Sequence, residues 1–399
     1  MDLLEKLKGK LKEVKIIYPW YEQFYINQPI KDFNDLPYMT TDILEKHYYH
    51  QEYDDSIHVY QTSGTSSNIR KKIAYSEADE QRYVSLKMEV YKQFLNNSAC
   101  KKAFSDVGTG HAASTADFIF KKLQMESKAI SFDRPIEEHI QQLKTFKPDV
   151  LYTMPSILDH LIYAAENPAD FGIKKIILVG EIASEEWQQK IANIFQIQRE
   201  DIMDTLGSIE IGTIAYYSHD IRRYVFLDHL YAEGIQSDEI GLNMEKLENK
   251  ESILVLTSFV RSMFPAIRFV TYDVVRDLRT MVIDGVEKQT FQNIVKRVGP
   301  EFKHGEKISI YDIEEIVYQH LKEASVRVKL QNNALTIYIH SKLVNPSMLT
   351  TIQKDIQEKI PEIGRMINNK ILDEIQVLAV SNEELNTGKV KNKKIYYEK

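Results

Sequence analysis

From Thr62 to Ser67 the chain reads Thr62, Ser63, Gly64, Thr65, Ser66, Ser67, and the cations Arg70, Lys71 and Lys72 follow closely. Small residues leave backbone N–H groups open to an approaching anion, and Ser and Thr hydroxyls add donors without bulk. The cations suit a polyphosphate tail. Taken alone, the stretch reads equally as a polar turn ahead of a solvated charge run, because short motifs match often by accident. A second constellation, "VGTGHAAS", holds a Gly-x-Gly and His111 but lacks the rest of a dinucleotide fingerprint.

The elements that must position these residues follow from hydrophobic period. "SIHVYQTSG" is a strand running into the small-residue loop, and "SEADEQRYVSLKMEVYKQFL" is a helix capped by Ser76 and opened by acids. Strands and helices then alternate through "IEEHIQQLKTF", "KPDVLYTMPSILDHLIYAAEN", "KIILVGE", "SEEWQQKIANIF" and "DIMDTLGS", as in an α/β chain. From "RRYVFLDHLYAEGI" to "AIRFVTYDVV" strand follows strand, which predicts an antiparallel or barrel-like section. Past Arg297 a compact α+β unit is expected: a helix over "ISIYDIEEIVYQHLKEA", strands "SVRVKL" and "ALTIYIH", a helix over "PSMLTTIQKDIQEKI" and a strand "EIQVLAV". "KRVGPEFKHG" is the predicted hinge between the two parts.

Composition narrows the class. A chain of 399 residues, 43% hydrophobic and 27% charged, can bury one large core and a smaller one. Its net charge of -7 gives no electrostatic reason to expect a nucleic acid, so phosphate binding would have to be local. One cysteine, Cys100, excludes an internal disulfide framework and fits a reducing cytosol. The charged amphipathic start "MDLLEKLKGKLKEVKII" lacks the apolar core of a signal peptide, and no apolar run is long enough to span a bilayer. A cytoplasmic protein without a membrane partner is expected.

The motifs gain weight from their order. "TSGTSS", "LYTMPSIL", "VGE", "LGSIEIG", "PAIRFVTYDVV", "GEKISIYDIEEI" and "NTGKVKNKK" succeed one another in a way that resembles the adenylate-forming enzyme superfamily, and in particular its compact branch typified by phenylacetate-CoA ligase. That branch also follows its phosphate loop with a Tyr-Ser/Thr-x-x-Asp helix start. The resemblance runs from about Ile57 to the C-terminus.

The resemblance implies an α/β fold: a large N-terminal adenylation domain of several subdomains with a β-rich section, over 1–297, and a small mobile α+β lid over 298–399. It implies a reaction in which a carboxylic acid attacks the α-phosphorus of ATP, releasing pyrophosphate, before the acyl group passes to a thiol of CoA or of a phosphopantetheine carrier protein. Thr62, Ser63, Gly64, Thr65, Ser66 and Ser67 fall on the loop that cradles the β- and γ-phosphates, with Arg70 retaining a cation where the family usually has Pro-Lys. Glu210 in "LGSIEIG" falls on the Mg²⁺-holding glutamate, next to Gly207 and Ser208, while Leu206 replaces an aromatic that stacks on adenine.

Asp273 matches the aspartate of a Thr-Gly-Asp that accepts both ribose hydroxyls, with Tyr272 in place of the glycine, and Arg297 is the expected ribose-side cation, with Lys296 as the alternative. Gly180 and Glu181 match the turn lining the adenine and acyl pockets. His111, Ala112, Met154 and Pro155 fall on acid-pocket segments. Lys389 matches the lysine that enters the site when the small domain closes. His219 and His229 are metal-capable, but Ser218 stands where relatives with a zinc site carry cysteine, so no zinc is expected. An aryl acid is expected by analogy with the branch. A siderophore or antibiotic ligase that loads a carrier protein, a degenerate non-catalytic nucleotide-binding scaffold, and a homodimer stay open.

Overall fold

The computed structural model describes residues 3–24, 30–61, 71–95, 99–107, 111–131, 134–181, 183–242, 247–298, 310–331, 334–360, 363–364, 367, 373–381 and 395–398. Contacts divide the chain into two units, the first comprising Met1–Ser98, Gly110–Thr115 and Thr205–Glu301, the second Ala99–Thr109, Ala116–Asp204 and Phe302–Lys399.

In the first unit the strand His58–Gln61 pairs antiparallel with Lys72–Tyr75, with Gln61 opposite Lys72. The predicted helix follows at Glu77–Leu95. Ser76 and Asp79 cap it reciprocally: the Ser76 N–H donates to the Asp79 carboxylate and the Asp79 N–H donates to the Ser76 hydroxyl, both at 3.2 Å. The expected strand-rich section is antiparallel, with Leu230–Ile235, Glu251–Ser258, Phe269–Arg276 and Asn293–Arg297 side by side in that order. Inward-facing Val255, Val270, Val274 and Val295 form its core. Asp284 and Gly285, both at positive φ, turn the hairpin between Arg279–Ile283 and Val286–Phe291, a conformation whose twist matches that of the strands. The N-terminal helix Leu3–Ile17 buries Leu7, Leu11 and Val14, as its amphipathic pattern predicts.

The second unit holds the parallel strands. Lys102–Val107 lies between Glu126–Ser131 and Val150–Thr153, and Val150–Thr153 pairs in turn with Lys175–Val179. Val150–Thr153 is buried throughout, which is why the run Val150, Leu151, Tyr152 shows no alternation of apolar and charged residues. In the C-terminal part, Ser325–Gln331 and Ala334–His340 pair antiparallel in continuous register, with Gln376–Ala379 parallel to the second and Ile395–Glu398 parallel to the first. Trp187, Ile191, Ile313, Val317 and Ile352 belong to one buried cluster within this unit, and the Lys190 ammonium donates to the Ala324 carbonyl at 2.8 Å. Among the described residues no helix is long and apolar enough to cross a membrane.

Candidate active site

Glu210 sits in the turn between the strands Ile202–Ser208 and Gly212–Ser218. The turn is held through its main chain: the Tyr75 hydroxyl donates to the Ile209 carbonyl at 2.7 Å, and Arg261 Nε donates to the Glu210 carbonyl at 3.1 Å. It is tight enough that a Cβ on Gly207 would meet the Gly212 carbonyl oxygen at 2.9 Å, so only glycine fits there. Leu206, half-buried, pairs with Ala215 across the strands. A carboxylate presented by a turn fixed through its backbone has the donor chemistry a hard divalent cation takes, and Glu210 fits Mg²⁺ on that ground.

The anchor for this turn is a residue that sequence motifs did not single out. Arg261 is buried, its guanidinium 3.6 Å from the centre of the Tyr75 ring and 2.6 Å from Asp79 Oδ2. Asp79 also accepts from the Ser262 and Met263 N–H groups at 2.7 and 2.9 Å. Burial works against the Asp79 charge, but Arg261 and these backbone donors outweigh it and hold the carboxyl below the ordinary aspartate range. An arginine alone in the apolar run "SFVRSMFP" is the signal that could have pointed to it.

His111 opens the helix His111–Lys122 and is almost fully buried, 4% exposed. Three phenol rings surround it, Tyr83 at 3.9 Å and Tyr60 and Tyr75 both at 4.5 Å between centroids. Its Nε2 lies 2.7 Å from Glu80 Oε2, and the Tyr60 hydroxyl donates to the other oxygen of Glu80 at 2.7 Å. Burial pushes the His111 imidazole down, more strongly than Glu80 pulls it up. Burial opposes the Glu80 charge, and the hydrogen bonds from His111 and Tyr60 nevertheless keep that carboxyl low. Ala112, the next residue of the helix, is half-buried.

Asp273 and Arg297 pair directly across the antiparallel strands Phe269–Arg276 and Asn293–Arg297. Arg297 Nε lies 3.6 Å from Asp273 Oδ1. Burial pushes the Asp273 carboxyl up, Arg297 pulls it down and Glu210 adds to the rise, with a net upward balance. Tyr272 has φ +63°, the left-handed conformation natural to the glycine it replaces. Its carbonyl accepts from the Val298 N–H at 2.8 Å and its hydroxyl accepts from the Thr41 N–H at 3.1 Å, and these two bonds hold the strained backbone in place.

In the second unit Met154 is the N-cap and Pro155 the first residue of the helix Pro155–Ala164, both buried. Gly180 has φ +80°, and the Glu181 carboxylate accepts from the Ser156 N–H at 2.8 Å and the Ser156 hydroxyl at 2.9 Å. Glu181 therefore supplies the anion that the N-terminus of this helix favours. Thr62 to Ser67, Arg70 and Lys389 lie outside the described residues.

The parallel α/β section and the antiparallel section together form the fold of the adenylate-forming ligases. Solved structures agree on the fold: 2-hydroxyisobutyryl-CoA ligase in complex with 2-HIB-AMP superposes with a TM-score of 0.75 at 16% identity, covering 99% of this chain and 88% of that one. The amide bond synthetase McbA from Marinactinospora thermotolerans superposes with a TM-score of 0.51 at 10% identity, over 84% of this chain and 68% of that one.

The family model described as the fumarate–diaminopropanoate ligase C-terminal domain matches residues 303–383. A fumarate–(S)-2,3-diaminopropanoate ligase of Enterobacter agglomerans is 36% identical over 388 residues, 96% of this chain and 97% of the relative. The chain belongs to the family of that ligase, within the adenylate-forming superfamily, and is an ATP-dependent acid-adenylating ligase.

Proposed function

We propose that the chain activates a short dicarboxylic acid, fumarate or a close analogue, as its acyl-adenylate and passes the acyl group to the amine of a small amino acid. The observation that carries this reading is the similarity, along nearly the whole chain, to a ligase named for fumarate and a diamino acid. The amine is preferred to a thiol because that relative is 36% identical, whereas the CoA ligase shares the fold at 16%. The aryl acid and the CoA or carrier-protein thiol expected from the branch give way to this reading, with the thiol as the competing acceptor in the test.

In the first step a carboxylate oxygen of the acid bonds to the α-phosphorus of ATP and the bond to pyrophosphate breaks. Asp273 and Arg297 hold the ribose. Gly180, Glu181, Leu206, Gly207 and Ser208 serve the adenine side, and Thr62 to Ser67 with Arg70 hold the departing phosphates. When bound at Glu210, Mg²⁺ supplies charge neutralisation on the phosphate oxygens. His111, Ala112, Met154 and Pro155 serve the acid, and Lys389 meets the charge that develops between carboxylate and phosphate. In the second step the amine attacks the acyl carbon, AMP leaves, and the ammonium proton passes to solvent or a neighbouring base.

The test is exchange of labelled pyrophosphate into ATP, with Mg²⁺, across fumarate, other dicarboxylates and aryl acids, followed by mass analysis of products with a diamino acid or CoA. Fumarate-dependent exchange and an amide product are expected. Exchange confined to aryl acids, or a thioester as the sole product, would overturn the reading.

A further inference from the structure

Two residues just ahead of Asp273 carry left-handed backbones, Arg268 at φ +51° and Tyr272 at φ +63°. Each stores strain that a glycine would escape. Both are held by one stretch of chain from far earlier in the sequence, Leu36 to Thr41. The Met39 N–H donates to the Arg268 carbonyl at 2.8 Å and the Val270 N–H donates to the Met39 carbonyl at 3.1 Å. The Arg268 guanidinium donates to the Leu36 carbonyl at 2.6 Å and lies 4.0 Å from the centre of the Tyr38 ring. Glu233 pairs with the same guanidinium at 2.9 Å. Thr41 completes the strap, its N–H donating to the Tyr272 hydroxyl at 3.1 Å. Thr41 is the first residue of the helix Thr41–His47, where an N–H has no acceptor within the helix, so the strap gives an otherwise orphaned donor to Tyr272.

We propose that Tyr272 is a positioning residue for the nucleotide: its hydroxyl, bonded to the Thr41 N–H, fixes the left-handed backbone from which Asp273 reaches the ribose. This rests on the reading that Asp273 holds the ribose hydroxyls. A residue with a Cβ released from that bond relaxes toward the extended region, and the peptide leading into Asp273 turns with it. The N-terminal strap thus supplies through a side chain what a glycine supplies through its own freedom. Tyr272 acts on the ribose through the main chain, with no contact of its own.

Three variants separate the contributions. Tyr272→Phe removes the acceptor and keeps the ring. Thr41→Pro removes the donor and keeps the helix, because proline suits a first helical position and Thr40 before it is already extended, at φ -84° and ψ 166°. Tyr272→Gly removes ring and strain together. The quantity to read is the ratio of calorimetric affinities for ATP and 2′,3′-dideoxy-ATP, with urea unfolding of each variant alongside. Tyr272→Phe and Thr41→Pro should each lower the ratio by about fivefold, the scale of one lost hydrogen bond. The double variant should lower it no further, since both changes remove the same contact.

Tyr272→Gly is the rescue. It gives up the packing of the ring against the cluster of Val270, Val274 and Val298 and should unfold at lower urea, yet its ratio should stay near that of wild type. In that background Thr41→Pro should leave the ratio unmoved. An unchanged ratio in either Tyr272→Phe or Thr41→Pro overturns the proposal. So does a ratio lost equally in Tyr272→Gly and Tyr272→Phe, which would put the tyrosine itself against the nucleotide. A wild type that binds ATP and the dideoxy nucleotide alike removes the ribose reading of Asp273 and this proposal together.

Discussion

The Arg261 guanidinium lies over Tyr75, 3.6 Å from its ring centre, and both residues hydrogen-bond the main chain of the turn that carries Glu210. A charge buried so completely is kept by its partners, chiefly Asp79 at 2.6 Å, and by the cation–π contact. Cation, ring and turn form one connected set of contacts. Glu210 inherits its position from Arg261 without touching its side chain.

Arg261→Met should therefore destabilise the protein by about 3–5 kcal/mol, because it leaves the Asp79 carboxylate buried without its guanidinium. Urea unfolding measures this. The pH dependence has a definite sign. Asp79 is held below its ordinary value, so its contribution to stability is complete above the unfolded pKa of about 4 and is lost as pH falls through its folded value. The gap between wild type and variant should narrow on acidification below about pH 4. A difference constant from pH 7 to pH 3 would mean that the pair does not set stability.

Asp273 and Arg297 form the second fixed relationship, set by strand register. Asp273→Ala should weaken ATP binding by about 1.5–3 kcal/mol, since a charge-assisted hydrogen bond is lost at each ribose hydroxyl. Calorimetric titration with ATP and with 2′,3′-dideoxy-ATP separates the terms. The variant should lose affinity for ATP and little for the dideoxy nucleotide, and an equal loss for both would move Asp273 away from the ribose.

How far the sequence carries can be judged on these residues. Asp273 and Glu210 stood out because each sits in a short local pattern whose order along the chain restricts its meaning, and Val150–Thr153 was legible as a strand because a strand buried on both faces is mostly apolar. Arg261 was not legible. Its acceptors Glu210 and Ala74 lie 51 and 187 residues away, and no local pattern encodes such a contact. Tyr272 shows a different failure. A glycine-specific backbone survived the loss of glycine because the Val298 and Thr41 N–H groups hold it, and a pattern based on residue type sees only the substitution. The strand Ile395–Glu398 was missed for the first reason, its partner Val328 being distant in sequence.

Lys389, in the Thr-Gly-Lys of "NTGKVKNKK", offers the most discriminating test, because its proposed role depends on the step. A lysine that meets charge only as the adenylate forms stabilises the transition state more than the ground state, and such a contact changes turnover rather than binding. Lys389→Ala should leave ATP affinity nearly intact and slow adenylation by roughly a hundredfold or more, the scale for removing one preorganised charge donor. The second step should be spared if the small domain carries the lysine away between steps, as the resemblance implies. Synthetic fumaryl-adenylate supplied with a diamino acid isolates that step in a single turnover. Wild type and variant should then transfer the acyl group at similar rates. Equal losses in both steps would give Lys389 a structural role, and no loss in either would return the segment to a solvated basic tail.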